Sequence, residues 1–394
     1  MTSYFDQDDF TLFHGDTMEI LNSLDKKVDV IFADPPYFLS KGFTMYAKGR
    51  VKCFDKGDWD KVRPLSEIND FNMKWLSECR NILKETGTIW VSGTYHNIYS
   101  VANCMVELGY KILNIIVWNK PDAPLTLSDS HFNFSAEYII WARKSKNKKH
   151  FYNIDLTTAI NGGKRMSDVW NIPTTGLWEK SCGKHPTQKP LRLLYRIILS
   201  STLEGDTILD PFAGSCTTGI AANLLGRKFI GIDQDISFLD LGIRRKNEIA
   251  NVEIGKKYLQ KMSESPSDVM VIINHARKEL KDKMIEKGIC YLRAGDSKGS
   301  LCVTPGFERM QYILLHTSGE DAKLFRLKTK GCFQIWTKET LEDAGFCPQH
   351  APYYVVILFD NTKEIPILKN VNIKERLNTY RARIRPLSDF IGLK

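Results

Sequence analysis

Short apolar runs that end in turn signals alternate with amphipathic stretches over the first 250 residues of the chain. The apolar runs predict buried β-strands at Val28–Ala33, Thr88–Ser92, Ile112–Trp118, Tyr138–Ala142, Thr207–Leu209 and Phe229–Ile232. Between them, helix-like stretches such as Asp70–Leu83 and Leu191–Ser201 predict helices. Alternating strands and helices are typical of an α/β fold with a mostly parallel sheet. Ligands of such sheets bind at the carboxyl ends of the strands, so we expect the chemistry directly after each strand.

A polar stretch at Ser263–Asp268 ends this alternation. Beyond it, a helix-like segment is followed by strand-like runs such as Tyr312–His316 and Tyr353–Phe359, which predicts an α+β arrangement. The chain has 394 residues, a length that favours two domains. We therefore predict a first domain over residues 1–262 and a smaller C-terminal domain over residues 265–394.

Composition narrows the class of protein only a little. Lysine and arginine total 55 residues against 46 acidic residues, a net charge of +9, which fits a polyanionic partner and an ordinary basic enzyme equally well. No apolar run reaches about 18 residues and the N-terminus lacks the features of a signal peptide, so we expect a cytoplasmic protein without a membrane span. The C-terminal part contains one set of residues of the types that bind metals: Cys290, Cys302, Cys332, Cys347 and His350. Their spacing matches no zinc-binding pattern, so we expect these cysteines to lie in the core and expect no metal site.

The segment Ile208–Gly219 (ILDPFAGSCTTG) reads as a strand, a tight loop and the start of a helix. Small residues at Ala213, Gly214 and Ser215 let the backbone approach a ligand closely, and the free N–H groups of a helix start favour a carboxylate. Asp233 ends the next strand, where an acid accepts hydrogen bonds from ribose hydroxyls. Neither GKS, GKT nor GxGxxG is present, so the pattern predicts a nucleoside cofactor that needs no pyrophosphate; a plain strand-to-helix turn is the alternative.

The tetrapeptide Asp34-Pro35-Pro36-Tyr37 follows a predicted strand directly. Its two prolines fix φ and donate no N–H, so they leave a carbonyl pointing outward beside the Asp34 carboxylate. This rigid acceptor pair can bind both hydrogens of an –NH2 group and favours a tetrahedral nitrogen whose lone pair can attack. Tyr37 offers a flat face on which a base can stack. The alternative is a rigid turn after a strand.

DPPY and DPFAGS together resemble the amino-methyltransferases that act on DNA. DPPY comes first and the cofactor loop second, as in the permuted β arrangement of that family, and His14–Leu21 and His185–Leu194 match its further motifs. The segments ADPPYFLS, DKGDWDK, WNKPDAP and GKHPTQKP are similar to the second, single-strand-competent adenine methylase of GATC-type restriction–modification systems. The resemblance covers about residues 10–250, and the C-terminal extension matches no family that we recognise.

The resemblance implies a Rossmann-like methyltransferase fold that uses S-adenosylmethionine. It implies a site-specific DNA methyltransferase that transfers a methyl group to N6 of a flipped adenine by direct in-line displacement. An N4-cytosine methyltransferase is the alternative, and Asp34 favours adenine because serine typically leads the tetrapeptide of the cytosine enzymes. A fused nuclease–methylase and a non-catalytic DNA-binding module are weaker alternatives.

The resemblance also implies a role for each matching residue. The catalytic residues would be Asp34, Pro35, Pro36 and Tyr37. Asp16 would contact the adenine of the cofactor and Asp233 its ribose. The methionine and the ribose of the cofactor would be lined by four residues of the loop: Asp210, Phe212, Gly214 and Ser215. Two further residues, Thr187 and Lys189, would lie along the methionine tail. Cys216 stands where the usual loop has glycine, and we expect this change to be tolerated because cysteine is small.

Two basic segments are candidates for contacts with DNA phosphates. The first is the glycine-bearing loop Phe38–Lys61, with Lys41, Lys48, Arg50 and Lys52. The second lies in the predicted target-recognition region, about residues 120–185, with Arg143, Lys144, Lys146 and Lys148. A solvated surface is the alternative for both. DNA binding by the extension, a homodimer and a cognate restriction endonuclease are further expectations, and GATC is only weakly indicated as the recognition sequence.

Overall fold

The chain divides into two compact units, which are described separately. The first contains Met1–Tyr152, Ser167–Thr175 and Gly183–Gly242, and the second contains the rest. The predicted domain boundary near residues 262–265 lies outside the described residues. The computed structural model describes residues 2–38, 43–47, 50–54, 60–123, 130–161, 164–175, 177–180, 182–183, 185–250, 270–294, 300–301, 310–328, 334–351, 353–367 and 383–386.

The described part of the first unit contains eleven strands. In chain order they are β1 (Phe5–Gln7), β2 (Phe10–His14), β3 (Val28–Ala33), β4 (Phe43–Ala47), β5 (Arg50–Phe54), β6 (Leu83–Gly93), β7 (Lys111–Asn119), β8 (Ala136–Arg143), β9 (Val169–Asn171), β10 (Thr207–Asp210) and β11 (Lys228–Asp233). All six strands predicted from apolar runs lie within these. The segment predicted as a loop after DPPY contains an antiparallel hairpin of β4 and β5.

Nine of these strands form one sheet, in the order β1-β2-β11-β10-β3-β6-β8-β7-β9. The run from β2 to β6 pairs in parallel, whereas β8 is antiparallel to both of its neighbours. Strands β3 and β10 are buried almost along their whole length, as expected of parallel strands covered on both faces. The predicted Rossmann-like α/β fold with a mostly parallel sheet is confirmed.

Both units contain helices as well as strands. They are α1 (Thr17–Ser23), α2 (Leu65–Ile82), α3 (Ile98–Glu107), α4 (Ile154–Ile160), α5 (Leu191–Ser201), α6 (Thr217–Leu224), α7 (Ile236–Ala250), α8 (Lys278–Lys287) and α9 (Lys338–Asp343), with a 3-10 turn at Leu177–Lys180. Helix α2 begins five residues before the predicted start, directly after Pro64, whose extended backbone ends the preceding segment. Its Trp75 and Leu76 are buried in a core with Ile31 and Val91 of the sheet.

The second unit is built around a separate sheet, in the order β14-β13-β18-β16-β15-β12-β19, with β17 paired to β18. Its strands are β12 (Met270–His275), β13 (Ile289–Ala294), β14 (Ser300–Leu301), β15 (Met310–His316), β16 (Lys323–Leu327), β17 (Gln334–Trp336), β18 (Tyr354–Ile365) and β19 (Arg383–Pro386). Phe325, Phe359 and Tyr354 are among its fully buried side chains. Helices and strands alternate irregularly along this unit.

Two observations on the described residues bear on metals and membranes. No group of three or more His, Cys, Asp or Glu side chains there is arranged to hold a metal ion. Cys290 is buried and accepts a hydrogen bond from Asn274, Cys347 is exposed, and Cys302 and Cys332 lie outside the described residues. No described helix is both long enough and apolar enough to cross a membrane.

Candidate active site

Five parallel strands end at the same edge of the first sheet, because parallel strands all point the same way. Each of them has a polar side chain at its carboxyl end or within two residues of it. In strand order from β2 to β6 these side chains are Asp16, Asp233, Asp210, Asp34 and Ser92. Four of the five were singled out from the sequence as site residues.

A cavity of about 390 Å³ opens at this edge. Its volume lies in the range of about 300–1,000 Å³ that is typical of small-molecule sites. The lining combines carboxylates, aromatic rings and the DPPY segment, and includes Asp16, Asp34, Pro35, Pro36, Tyr37, Asp60, Phe71, Thr187, Phe212, Gly214 and Asp233. A smaller recess beside it is lined by Lys189, Asp210 and Ser215 among others. Together the two contain every catalytic and cofactor residue proposed from the sequence.

Asp233 and Asp16 lie side by side in the cavity wall. The backbone N–H of Gly214 donates to Asp233 Oδ2 at 2.7 Å, and that of Asp235 donates to Oδ1 at 2.9 Å. Burial raises the pKa of the Asp233 carboxyl, and these two N–H groups oppose the rise. Asp16 caps the N-terminus of α1 with Oδ1, while Gln234 donates to its Oδ2 at 2.9 Å. Each carboxylate is therefore held both by its own loop and by the loop of the neighbouring strand.

The loop after β10 turns tightly enough to need unusual backbone angles. Gly214 has a φ of +50°, and a side chain there would meet the ring of His185. Cys216 also lies in the left-handed region, with φ 56° and ψ 32°. This region costs a non-glycine residue about 1–2 kcal/mol, which explains why glycine is usual at that position. The Cys216 side chain is fully buried and fills a space that Gly242 of α7 leaves open.

Asp210 is a fully buried carboxyl group at the end of β10. Thr218 donates to its Oδ2 at 2.5 Å, and the backbone N–H of Phe212 donates to its Oδ1 at 3.0 Å. Burial raises the pKa of Asp210 to about 7, and the charges of Asp34 and Asp233 add to the rise. Asp210 therefore changes its charge near neutral pH, in the recess beside the cavity.

The Asp34 carboxylate is held by three donors. Lys189 Nζ donates to Oδ2 at 2.5 Å, Tyr37 Oη donates to Oδ1 at 2.6 Å, and the Ser92 hydroxyl also donates to Oδ1. Burial alone would raise the pKa of Asp34, but the Lys189 charge and these hydrogen bonds outweigh it and lower the pKa. Asp34 is consequently a buried but ionised acceptor.

Lys189 is itself only 8% exposed and lies between two carboxylates, Asp34 and Glu137. Burial would lower its pKa, but the charges of Asp34 and then Glu137 reverse that effect and raise it. Glu137 also accepts from Lys120 at 2.8 Å. The role of Lys189 along a methionine tail stays a prediction, and the structure adds a direct contact with Asp34.

Three site residues were not predicted from the sequence: Ser92, Glu137 and Asp60. Asp60 accepts from the backbone N–H of Tyr37 at 2.9 Å and so anchors the end of the tetrapeptide. Ser92 is the last polar residue of a predicted strand, and this signal could have identified it. Glu137 precedes its predicted strand, and only the antiparallel direction of β8 brings it to this edge.

The proposed DNA contacts fall into four pairs of residues. Lys41 and Lys48 lie outside the described residues, and Arg50 and Lys52 belong to β5. Arg143 donates to the Lys146 carbonyl at 2.9 Å, and Lys144 contacts both the Leu83 carbonyl and Glu85 at 2.9 Å. Lys146 and Lys148 are exposed, so of the second segment they are best placed to reach phosphates. All these contacts stay predictions.

Comparisons with known proteins agree on one family. The family model N6_N4_Mtase, described as DNA methylase, matches residues 28–244. The chain is 46% identical over 269 residues to the Type II methyltransferase M2.MboI of Moraxella bovis, covering 68% of this chain and 98% of that protein. It is 49% identical over 244 residues to the Type II methyltransferase M2.DpnII of Streptococcus pneumoniae, covering 61% and 91%. A solved structure of an M1.HpyAVI–SAM complex is 26% identical, covers 60% of this chain and 99% of its own, and gives a TM-score of 0.47.

The packing of Cys216 against Gly242 predicts a coupled pair of substitutions. Gly242→Ala should destabilise the protein by about 1–3 kcal/mol, because the new methyl group overlaps the Cys216 sulfur. The same change in a Cys216→Gly background should be neutral or stabilising, because the sulfur is gone and alanine favours the helix. Urea unfolding of the four proteins measures this coupling. Equal effects of Gly242→Ala in both backgrounds would show that the two side chains do not share a space.

Proposed function

This chain belongs to the N6_N4_Mtase family of DNA methylases, and we propose that its DPPY segment and adjoining cavity carry out methyl transfer to N6 of adenine. It is an adenine-specific DNA methyltransferase that uses S-adenosylmethionine. The observation that carries the residue-level proposal is the position of the ionised Asp34 carboxylate in the wall of a nucleoside-sized cavity. Its relatives M2.MboI and M2.DpnII are Type II methyltransferases.

The cavity fits S-adenosylmethionine in size and in polarity. Asp233 would accept from the ribose hydroxyls, Asp16 would face the adenine, and the loop around Gly214 would lie along the methionine part. The acidic lining favours a ligand with positive charges. S-adenosylmethionine supplies a methyl group that is activated by the positive charge of its sulfonium. After the transfer, the cofactor product no longer has the sulfonium charge. The acidic lining therefore binds it less favourably than a fresh molecule of S-adenosylmethionine, which can replace it.

Asp34 and the Pro35 carbonyl provide the acceptor pair for the adenine amine. Among the described residues, none donates a hydrogen bond to the Pro35 carbonyl. At Asp34 Oδ1, the amine would replace one of the present donors, Tyr37 or Ser92. Hydrogen bonds to both amine hydrogens localise the lone pair on the nitrogen, which can then attack the methyl group directly. The protein thus contributes orientation and electrostatics, and no covalent enzyme intermediate is needed.

Charge is conserved if the methylated nitrogen then loses one proton. The nitrogen gains a methyl group and a positive charge, which makes its remaining hydrogens strongly acidic. Asp34 is the carboxylate that holds one of these hydrogens, and it can accept the proton. Lys189 keeps Asp34 ionised before the reaction through their contact of 2.5 Å.

Several expectations concern partners and location. DNA is the substrate, and the adenine must leave its stack to reach the cavity. We infer a cytoplasmic location from this substrate. A cognate restriction endonuclease is supported by the Type II relatives, and its gene should be sought beside the gene for this chain. Light scattering tests whether the protein forms a homodimer. Gel shifts of the whole protein, unchanged and with exposed lysines of residues 265–394 substituted, test DNA binding by this C-terminal extension.

The direct test of the function is sequencing of methylated bases in DNA from cells that express the chain. We expect N6-methyladenine in one short motif, and its loss in Asp34→Ala, because the amine loses its main acceptor. Asp25→Ala, which changes an exposed aspartate away from the cavity, is the matched control and should methylate normally. N4-methylcytosine in place of N6-methyladenine would contradict the assignment to adenine.

Cofactor affinity should depend on pH through Asp210. In the free protein, burial raises the Asp210 pKa to about 7 from 3.8, so between these values this group makes the fold less stable as pH rises. A cation bound nearby favours the ionised form and lowers this pKa, so below about pH 7 binding should release protons. Affinity should then rise with pH up to about 7, by at most roughly tenfold per unit, and level off at higher pH. Calorimetry in buffers of different ionisation enthalpy measures the released protons. Asp210→Asn should remove both effects, and an unchanged pH dependence in that variant would exclude Asp210 as their source.

The pair of Asp34 and Lys189 predicts a pH-dependent defect. In Lys189→Met, the buried Asp34 loses its cation, so its pKa should rise and the acidic limb of the kcat profile should move to higher pH. We expect a loss of about tenfold or more at mildly acidic pH that shrinks as the pH is raised. Lys189→Arg should restore much of the activity. A loss that is the same at every pH would indicate a purely structural role for Lys189.

A further inference from the structure

Five rings form an exposed patch on the first unit, beside the candidate active site. They belong to Tyr95, His96, His131, Phe132 and Phe134, which we call the aromatic patch. Phe132 is 96% exposed, and Phe134 and Tyr95 are 46% and 43% exposed. Single exposed apolar side chains are common on proteins, whereas a contiguous group of them marks an interaction surface.

Four of the five rings already contact one another, and Phe132 is the neighbour of His131 in the chain. Tyr95 stacks on Phe134 with ring centroids 5.2 Å apart and an angle of 16° between the planes. His131 contacts Phe134 with centroids 5.0 Å apart, and His96 contacts Tyr95 at 3.9 Å. Two segments that are about 40 residues apart in sequence thus combine into one surface of flat rings. A preformed surface of this kind loses little side-chain entropy when a flat ligand binds.

The patch lies at the rim of the catalytic segment. Tyr95 follows Ser92 by three residues, and Ser92 donates to Asp34. In the same turn, Asn97 donates to the Pro36 carbonyl at 3.4 Å. On the other side, Phe134 precedes Glu137 by three residues, and Glu137 Oε2 lies 3.4 Å from the Tyr37 hydroxyl oxygen. Both segments of the patch therefore emerge directly from residues that touch DPPY.

The chemistry of the patch fits nucleobases. Every base offers a π face, and stacking on aromatic side chains contributes to nucleic-acid binding without reading sequence. An adenine that leaves its stack exposes the face of the base next to it. An apolar protein partner would be a less suitable occupant, because two of the five rings are histidines and the patch adjoins a site that acts on DNA.

We propose that the aromatic patch stacks on the base adjacent to the target adenine and so offsets the cost of flipping. This inference rests on the proposed function, since it assumes that DNA reaches DPPY. In this role the aromatic patch increases the affinity for DNA and stabilises the flipped state of the adenine. Recognition of the DNA sequence depends on other residues. Phosphate contacts from basic segments would be independent of it.

The test compares the double variant Tyr95→Ala/Phe134→Ala with the unchanged protein. The probe is a duplex oligonucleotide that contains the methylated motif found in expressing cells, and binding is measured by fluorescence anisotropy. We expect the dissociation constant to rise by about tenfold in the double variant. Phe151→Ala, an exposed phenylalanine beyond the far end of β8, is the matched control and should bind as before. Phe134→Trp should retain binding, whereas Phe134→Leu should not.

A second probe lacks the base next to the target adenine. If the patch stacks on that base, the abasic duplex should bind the unchanged protein and the double variant equally well, because the contact is already absent. Equal losses on both duplexes, or no loss on either, overturn the proposal. Cofactor affinity and urea unfolding of each variant exclude general damage. Methyl transfer by the unchanged protein to the same duplex is measured alongside, so a failure of the function itself is seen separately.

Discussion

Parallel pairing of five neighbouring strands is the constraint on which the rest of the first unit depends. Because β2, β11, β10, β3 and β6 run in the same direction, their carboxyl ends converge at one edge. Residues that are distant in sequence, such as Asp16 and Asp233, thereby become neighbours. The order of the strands also sets the order of the groups: the aspartates proposed for the cofactor follow β2, β11 and β10, whereas Asp34, proposed for the amine, follows β3 beside Ser92 of β6. The site is thus a consequence of topology as much as of any single side chain.

Burial then divides the carboxylates of this edge into two kinds. Asp34 is stabilised as an anion by Lys189 and two hydroxyl donors, which outweigh the cost of removing its charge from water. Asp210 has hydrogen-bond donors but forms no ion pair with a described residue, so burial dominates and its pKa rises to about 7. The same residue type is therefore a stable anion in one place and a group with a pKa near neutral in another. The difference lies in one ammonium group at 2.5 Å.

The cofactor loop shows how a departure from a family pattern can be accommodated. Cys216 has a backbone conformation that glycine adopts without cost, yet its side chain is completely buried. The compensation comes from Gly242, which belongs to another helix and leaves room for the sulfur. A loop sequence alone gives no information on such a distant partner, because the contact depends on the packing of α7.

Local sequence patterns are enough to predict the strands, the tight loop after β10 and the rigid tetrapeptide. Continuous apolar runs such as Val28–Ala33 reveal buried parallel strands because both faces must be apolar, and the prolines fix the local backbone of DPPY whatever surrounds it. Which charged side chains pair with each other, in contrast, depends on the packing of the folded chain. Lys189, predicted beside the cofactor, lies on Asp34, and Glu137 reaches the site because β8 runs antiparallel to β6. Ion pairs and ring contacts join residues that are far apart in sequence, so their partners depend on strand order and packing, which local patterns do not specify.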